Sequence, residues 1–166
     1  MRKLSILLAA LALVAITTAS VGAIDKKDTV DIRGTERFIP NKLFFSNFRF
    51  DPGTIRVKSG ESVTWVNKGE FPHTITVVAD APDDAFELFL CREPGGECRA
   101  ATDGHFTTPP TFVLNVGAAG LDQPGDSLLI LDPGASVSAV VSAPSGSVLE
   151  YICAFHPWMQ GSINVR

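Results

Sequence analysis

From Val30 onward, apolar and polar residues alternate in short runs punctuated by glycine, proline and other turn formers. Phe48-Arg49-Phe50 runs into Asp51-Pro52-Gly53, and the stretch from Thr54 to Lys58 alternates around Ile55 and Val57. Ser59-Gly60-Glu61 then turns the chain into Ser62-Val63-Thr64-Trp65-Val66-Asn67. After Lys68-Gly69-Glu70, the residues from Thr74 to Val78 are β-branched throughout. Ser136 to Ser142 alternates around Val137, Ala139 and Val141, and Val148 to Cys153 and Ser162 to Val165 close the set. Side chains of a strand point to opposite faces with period two, so this pattern predicts strands with one buried face. Many short strands with Gly/Pro turns predict an all-β Greek-key sandwich or barrel rather than a parallel α/β sheet.

The middle of the chain breaks the pattern. Ala81 to Leu90 predicts a short helix, with Pro82 in its first turn and Asp83, Asp84 and Glu87 near the positive end of its dipole. Cys91 and Cys98 follow, flanking the turn sequence Glu93-Pro94-Gly95-Gly96-Glu97, and then come Thr107-Thr108-Pro109-Pro110. A strand is expected over Thr111 to Val116, ahead of a Gly-rich passage from Gly117 to Gly125. Residues about 80–110 therefore read as an insertion between two strands.

The first 23 residues have a different character. Arg2 and Lys3 precede a largely apolar run of 13, Leu4 to Ile16, and small residues end at Val21-Gly22-Ala23, with Ala19 as a second candidate for cleavage. The run is too short to span a bilayer, so 1–23 is expected to be a signal peptide and 24–166 a single domain in the periplasm or outside the cell. No later segment is apolar enough for a membrane span. The leader holds two of 14 basic and none of 18 acidic residues, so the remainder carries 12 − 18 = −6. A net negative chain argues against nucleic acid as a partner. Three cysteines are an odd count. In an oxidising compartment Cys91 and Cys98 are expected to pair and staple the insertion, leaving Cys153 free.

Cys153 stands in Cys153-Ala154-Phe155-His156-Pro157-Trp158-Met159, which places a thiolate, an imidazole and a thioether within seven residues. Phe71-Pro72-His73-Thr74 offers a second imidazole. Two His, one Cys and a weak axial Met form the donor set of an electron-transfer copper site. The predicted metal ligands are therefore His73, Cys153, His156 and Met159. Taken singly, Cys153 reads equally as a buried thiol, Met159 as a core gap-filler and His156 as a loop residue. Their combination in a β-rich sequence favours the metal.

These segments resemble the cupredoxins, the blue copper family of plastocyanin, azurin, pseudoazurin and amicyanin. Asp51 to Asn67 resembles the family's N-terminal strand pair, Pro72-His73-Thr74 its first-ligand motif, and Tyr151-Ile152-Cys153 through His156, Met159 and Gly161 its ligand loop. The Cys-x-x-His-x-x-Met spacing is similar to amicyanin. The likeness covers roughly Lys42 to Val78 and Ser127 to Arg166 and skips the insertion. It implies one type 1 copper ion, a one-electron carrier between redox proteins, no enzymatic activity of its own and a monomer. It also implies that His156 lies nearest the surface, with a transient docking face at Phe155, Pro157 and Trp158. Thr74 is expected to stiffen the site near the Cys153 sulfur. Ala154 carries no hydroxyl and Pro157 no N–H, so few hydrogen bonds to the thiolate are expected, and with them a raised reduction potential. His105, in Asp103-Gly104-His105-Phe106, reads as a solvated loop residue. It is the one histidine left over, too few for the additional copper centres of an oxidase. Two other classes remain open: a module that buffers or delivers copper, and a metal-free immunoglobulin-like interaction domain.

Overall fold

The computed structural model describes residues 28–166; the expected signal peptide lies outside the described residues. In chain order the strands are β1 (Thr29–Arg33), β2 (Glu36–Ile39), β3 (Leu43–Ser46), β4 (Arg49–Asp51), β5 (Thr54–Val57), β6 (Ser62–Asn67) and β7 (His73–Val78). Helices α1 (Ala85–Arg92) and α2 (Glu97–His105) follow, and then β8 (Val113–Leu114), β9 (Ser127–Ile130), β10 (Ser136–Val140), β11 (Val148–Cys153) and β12 (His156–Val165).

Two sheets face each other. One has the order β10-β6-β1-β4 and the other β5-β12-β11-β7-β9-β8, while β2 and β3 form a separate hairpin. The expectation of a sandwich holds and that of a barrel does not, because the two sheets share no strand and nothing closes. Pairing is mixed: β1 runs parallel to β6 and β5 parallel to β12, and the other pairs are antiparallel. Alternation explains the core. Ile55 and Val57 are buried between exposed Thr54 and Arg56, and Trp65, Ile75, Tyr151 and Ile163 meet them between the sheets.

Strand β7 is buried at every position. Its inner side chains, including Ile75 and Val77, enter the core, while Val78 belongs to a second cluster with Cys98, Ala101, Ile152 and Ala154. That second cluster is the seat of the insertion. Cys91 and Cys98 are joined in a disulfide. Helix α1 starts later than Ala81 because Asp84 caps it, accepting from the N–H groups of Phe86 and Glu87 at 2.7 and 2.9 Å. A second helix, α2, was not expected. It buries Cys98, Ala101 and His105, one face at helical spacing. Its apolar stripe consists of a cysteine, an alanine and a histidine, so ordinary hydrophobic periodicity does not reveal it. The expected strand from Thr111 to Val116 shrinks to Val113–Leu114.

Candidate metal centre

His73 opens β7, and its position is set by the turn before it. Asn67, fully buried, accepts from the N–H of Gly69 at 2.9 Å and donates to the carbonyl of Phe71 at 2.8 Å. One side chain thus sews the 67–73 turn shut and delivers an imidazole with no solvent exposure. Cys153 ends β11 on the same inner face as Leu149 and Tyr151. A tight turn through Ala154 and Phe155 follows, and β12 begins at His156, which stands opposite Cys153 in the register. The register then slips, so that Gln160 faces Ile152. The extra residues on β12 form a bulge, a device that re-aims side chains at the end of a strand. Met159 sits within it, 1% exposed and packed in the same core cluster as Cys153.

His73, Cys153 and His156 thereby converge. Their ligand atoms all lie within 4.8 Å of one another, and all three residues are buried. The Cys153 Sγ stands 3.6 Å from His73 Nδ1 and 3.5 Å from His156 Nδ1. First-row metal bonds of about 2.0 Å to nitrogen and about 2.2 Å to sulfur, opened to about 120°, separate those atoms by roughly 3.6 Å. The observed spacing therefore fits one ion shared by the three donors. Electrostatics point the same way. Burial, and secondarily the charge of its fellow imidazole, lowers His73 to about 4; burial and then Arg92 lower His156 to about 4. Both rings are neutral at pH 7 and free to ligate. Burial pushes the Cys153 thiol up, against the hydrogen-bonding pull of the Thr74, Phe155 and His156 N–H groups. The thiolate consequently forms when a cation displaces its proton.

The sequence matches the model of the copper binding proteins of the plastocyanin/azurin family over residues 42–166. The chain belongs to that family. The plastocyanin of Scenedesmus fuscus is 48% identical over 71 residues, covering 36% of this chain and 72% of the relative. The chloroplastic plastocyanin of Tetradesmus obliquus is 50% identical over 32 residues, 19% of this chain and 22% of the relative. Among solved structures, a purple cupredoxin from Nitrosopumilus maritimus aligns at a TM-score of 0.44 and 20% identity, covering 83% of this chain and 98% of that one. Oxidised plastocyanin from Dryopteris crassirhizoma aligns at 0.43 and 23%, covering 83% and 99%.

In this cupredoxin the three-residue cluster is positioned to bind one copper ion. Thr74 supports it twice: its N–H points at the Cys153 sulfur at 3.4 Å, and its hydroxyl accepts from the N–H of Ala154 at 2.7 Å. The hydrogen bond from the Thr74 N–H is the only N–H bond to the sulfur among the described residues, so the donors to the thiolate are few, as expected. The sign attached to that expectation reverses. A donor on the sulfur draws off charge that Cu(II) needs more than Cu(I), so donors raise the potential.

His156, 9% exposed, is the least buried of the three, against 0% for His73 and Cys153. It is ringed by Phe48, Trp158 and Phe155 at centroid distances of 4.6, 5.4 and 6.4 Å. Trp158 is exposed, Phe155 half-buried and Pro157 buried. Two features were not legible beforehand. Arg92 of α1 donates to the carbonyl of Phe155 and stands 5.8 Å over the Trp158 ring, so the insertion grips the ligand loop. Glu36 of β2 brings a carboxylate to 3.8 Å from His156 Nε2. His105, expected in solvent, has no exposure at all. Helix α2 carries it inward, and burial lowers its pKa against the opposing hydrogen bond to Thr111.

Proposed function

We propose that this cupredoxin is a type 1 copper protein that carries single electrons between redox partners, and that His73, Cys153 and His156 would hold the ion strongly with Met159 as a fourth, weaker ligand. The supporting observation is the 3.5 and 3.6 Å spacing of the two imidazole nitrogens from one buried thiol. The bound ion supplies a one-electron couple, Cu(II)/Cu(I). The chain's own residues supply the rest. His73 and Cys153 are held by two neighbouring strands of one sheet, β7 and β11, so the donors keep their places when the charge changes. Phe48, Phe155 and Trp158 exclude water from the His156 edge. Exchange of an electron then needs no substrate pocket, and the protein performs no catalysis itself. Removal of residues 1–23 on export completes the reading, with the mature domain 24–166 in the periplasm or outside the cell. Among the described residues no helix is long and apolar enough to cross a membrane.

Titrating the metal-free protein with Cu(II) tests this. An intense visible thiolate-to-copper band saturating at one equivalent is the expected result, and exchange with a competing chelator should be slow. A weak band with rapid exchange supports buffering or delivery instead, and no band at all supports a metal-free interaction domain.

The docking face proposed for the partners centres on Trp158 beside His156. Small, transient interfaces suit redox encounters. Trp158→Ala should slow transfer to a partner reductase or oxidase by roughly tenfold, the loss of one moderate interface contact. The visible spectrum should stay as in wild type. A changed spectrum with unchanged transfer would instead make Trp158 a packing residue.

A further inference from the structure

The buried His105 has both ring nitrogens occupied. Nδ1 lies 2.6 Å from the carbonyl oxygen of Thr111, and Nε2 lies 2.8 Å from the hydroxyl of Ser127. Ser127 in turn is 2.7 Å from the Thr76 hydroxyl, which is 3.0 Å from the Thr74 hydroxyl. Thr74 accepts from the N–H of Ala154, next to Cys153, at 2.7 Å. All the side chains of this line are at most 1% exposed. It starts in the insertion, crosses β9 and β7 on their outer face and ends at the ligand loop.

Its direction is forced from the His105 end, and the Ala154 end is compatible with it. A carbonyl only accepts, so His105 Nδ1 carries the proton and Nε2 is the bare acceptor. An amide N–H only donates, so the Thr74 oxygen receives from Ala154. Between these ends each hydroxyl has one remaining arrangement: Thr74 donates to Thr76, Thr76 to Ser127 and Ser127 to His105. A second bond holds the Thr111 carbonyl beside the ring, since the Thr111 N–H donates back to the His105 carbonyl at 3.0 Å. The consequence falls on Thr74. Its hydroxyl oxygen holds the N–H of Ala154 beside Cys153, its own N–H stands 3.4 Å from the sulfur, and its side chain is among the groups that pull the Cys153 thiol down. The relay keeps that hydroxyl's proton turned away toward Thr76.

We propose that His105 is a positioning residue for the copper site, acting through Ser127 and Thr76 to hold the Thr74 hydroxyl proton off the Cys153 thiolate. This rests on the reading of Cys153 as the copper thiolate. The insertion is then a tuning element, keeping the sulfur richer in charge and the potential lower than the ligands alone would set. Chains of buried hydroxyls are well suited to this, because each bond orients the next in a low-dielectric interior.

Three variants test it. Ser127→Ala cuts the line while leaving His105 in place, His105→Phe removes the acceptor while keeping bulk, and His105→Gln restores an acceptor oxygen. In the first two the Thr74 hydroxyl is released to the sulfur. The midpoint potential should rise and the charge-transfer band should move to shorter wavelength, with His105→Gln returning toward wild type. In the metal-free protein, nitrogen-15 NMR should find His105 as the Nδ1–H tautomer, and Ala154 amide exchange should quicken in Ser127→Ala. If His105→Phe does not fold, Ser127→Ala decides alone. A lowered stability with potential and band unmoved would reduce His105 to packing and overturn the proposal, as would an Nε2–H tautomer. Should wild type show no visible band, the copper reading fails, and the tautomer and exchange measurements still decide whether the relay exists.

Discussion

Cys153→Ser abolishes the intense visible band and lowers Cu(II) affinity by more than the roughly 10–100-fold lost when only a ligand's neighbour is removed. A serine hydroxyl fills nearly the same space, so the core around position 153, which has no solvent exposure, survives. What disappears is the soft anion. Burial already pushes the thiol up, and only a cation that bonds covalently to sulfur can displace its proton from this site. A serine hydroxyl ionises far less readily and stays protonated, leaving the cation only neutral donors, two imidazoles and a thioether. Optical titration and calorimetry on the variant check this. Met159→Leu provides the contrast: it conserves volume at a position 1% exposed, and should keep the band and the stoichiometry while changing the potential. A wild-type band in Cys153→Ser would remove Cys153 from the ligand set.

Gly161→Ala should destabilise the metal-free protein by about 3 kcal/mol, at the upper end for overpacking a core. For a chain of this size that is a fall of roughly 10 °C in melting temperature. Gly161 stands opposite Tyr151 in the β11–β12 register, and the tyrosine ring lies across it. An added Cβ would meet Tyr151 Cζ at 2.4 Å and its hydroxyl oxygen at 2.5 Å. The ring has nowhere to go. It is fully buried and held edge-on by Phe50 at 4.7 Å and by Trp65 at 5.8 Å. The strands must part instead, two residues from Met159 on one side and two from Cys153 on the other. Thermal unfolding by circular dichroism gives the number. A loss below about 1 kcal/mol would mean that the ring yields and the site is less tightly coupled to the core than the packing implies.

These two residues behave differently as sequence signals. Cys153 and His156 stood out as candidates because their chemistry is local: a turn of a few residues carries them together with Met159, and few other arrangements use that spacing. Gly161 was visible only through likeness to a ligand loop, because the reason for it is a ring on the neighbouring strand. The same division runs through the insertion. The Cys91–Cys98 pairing followed from sequence proximity and an odd cysteine count, and α1 from the acids at its start, although Pro82 lies ahead of the helix rather than in its first turn. Helix α2 did not, because its buried face of Cys98, Ala101 and His105 becomes apolar only once β7 and β11 cover it.

The sequence by itself determined the local order of the chain: which residues alternate, where turns fall, which cysteine stays free and which side chains offer themselves to copper. Such properties depend on neighbours a few positions away, where periodicity and side-chain chemistry act directly. Only the tertiary structure decided that His73 reaches a thiol 80 positions distant, that the sheets stay open, and that the insertion folds back on the outer face of β7. It also turned Thr74, Thr76 and Ser127 from ordinary strand residues into one directed line ending at His105. The physical reason is burial. A hydroxyl in water points anywhere, whereas a hydroxyl stripped of water must bond to what the fold sets beside it.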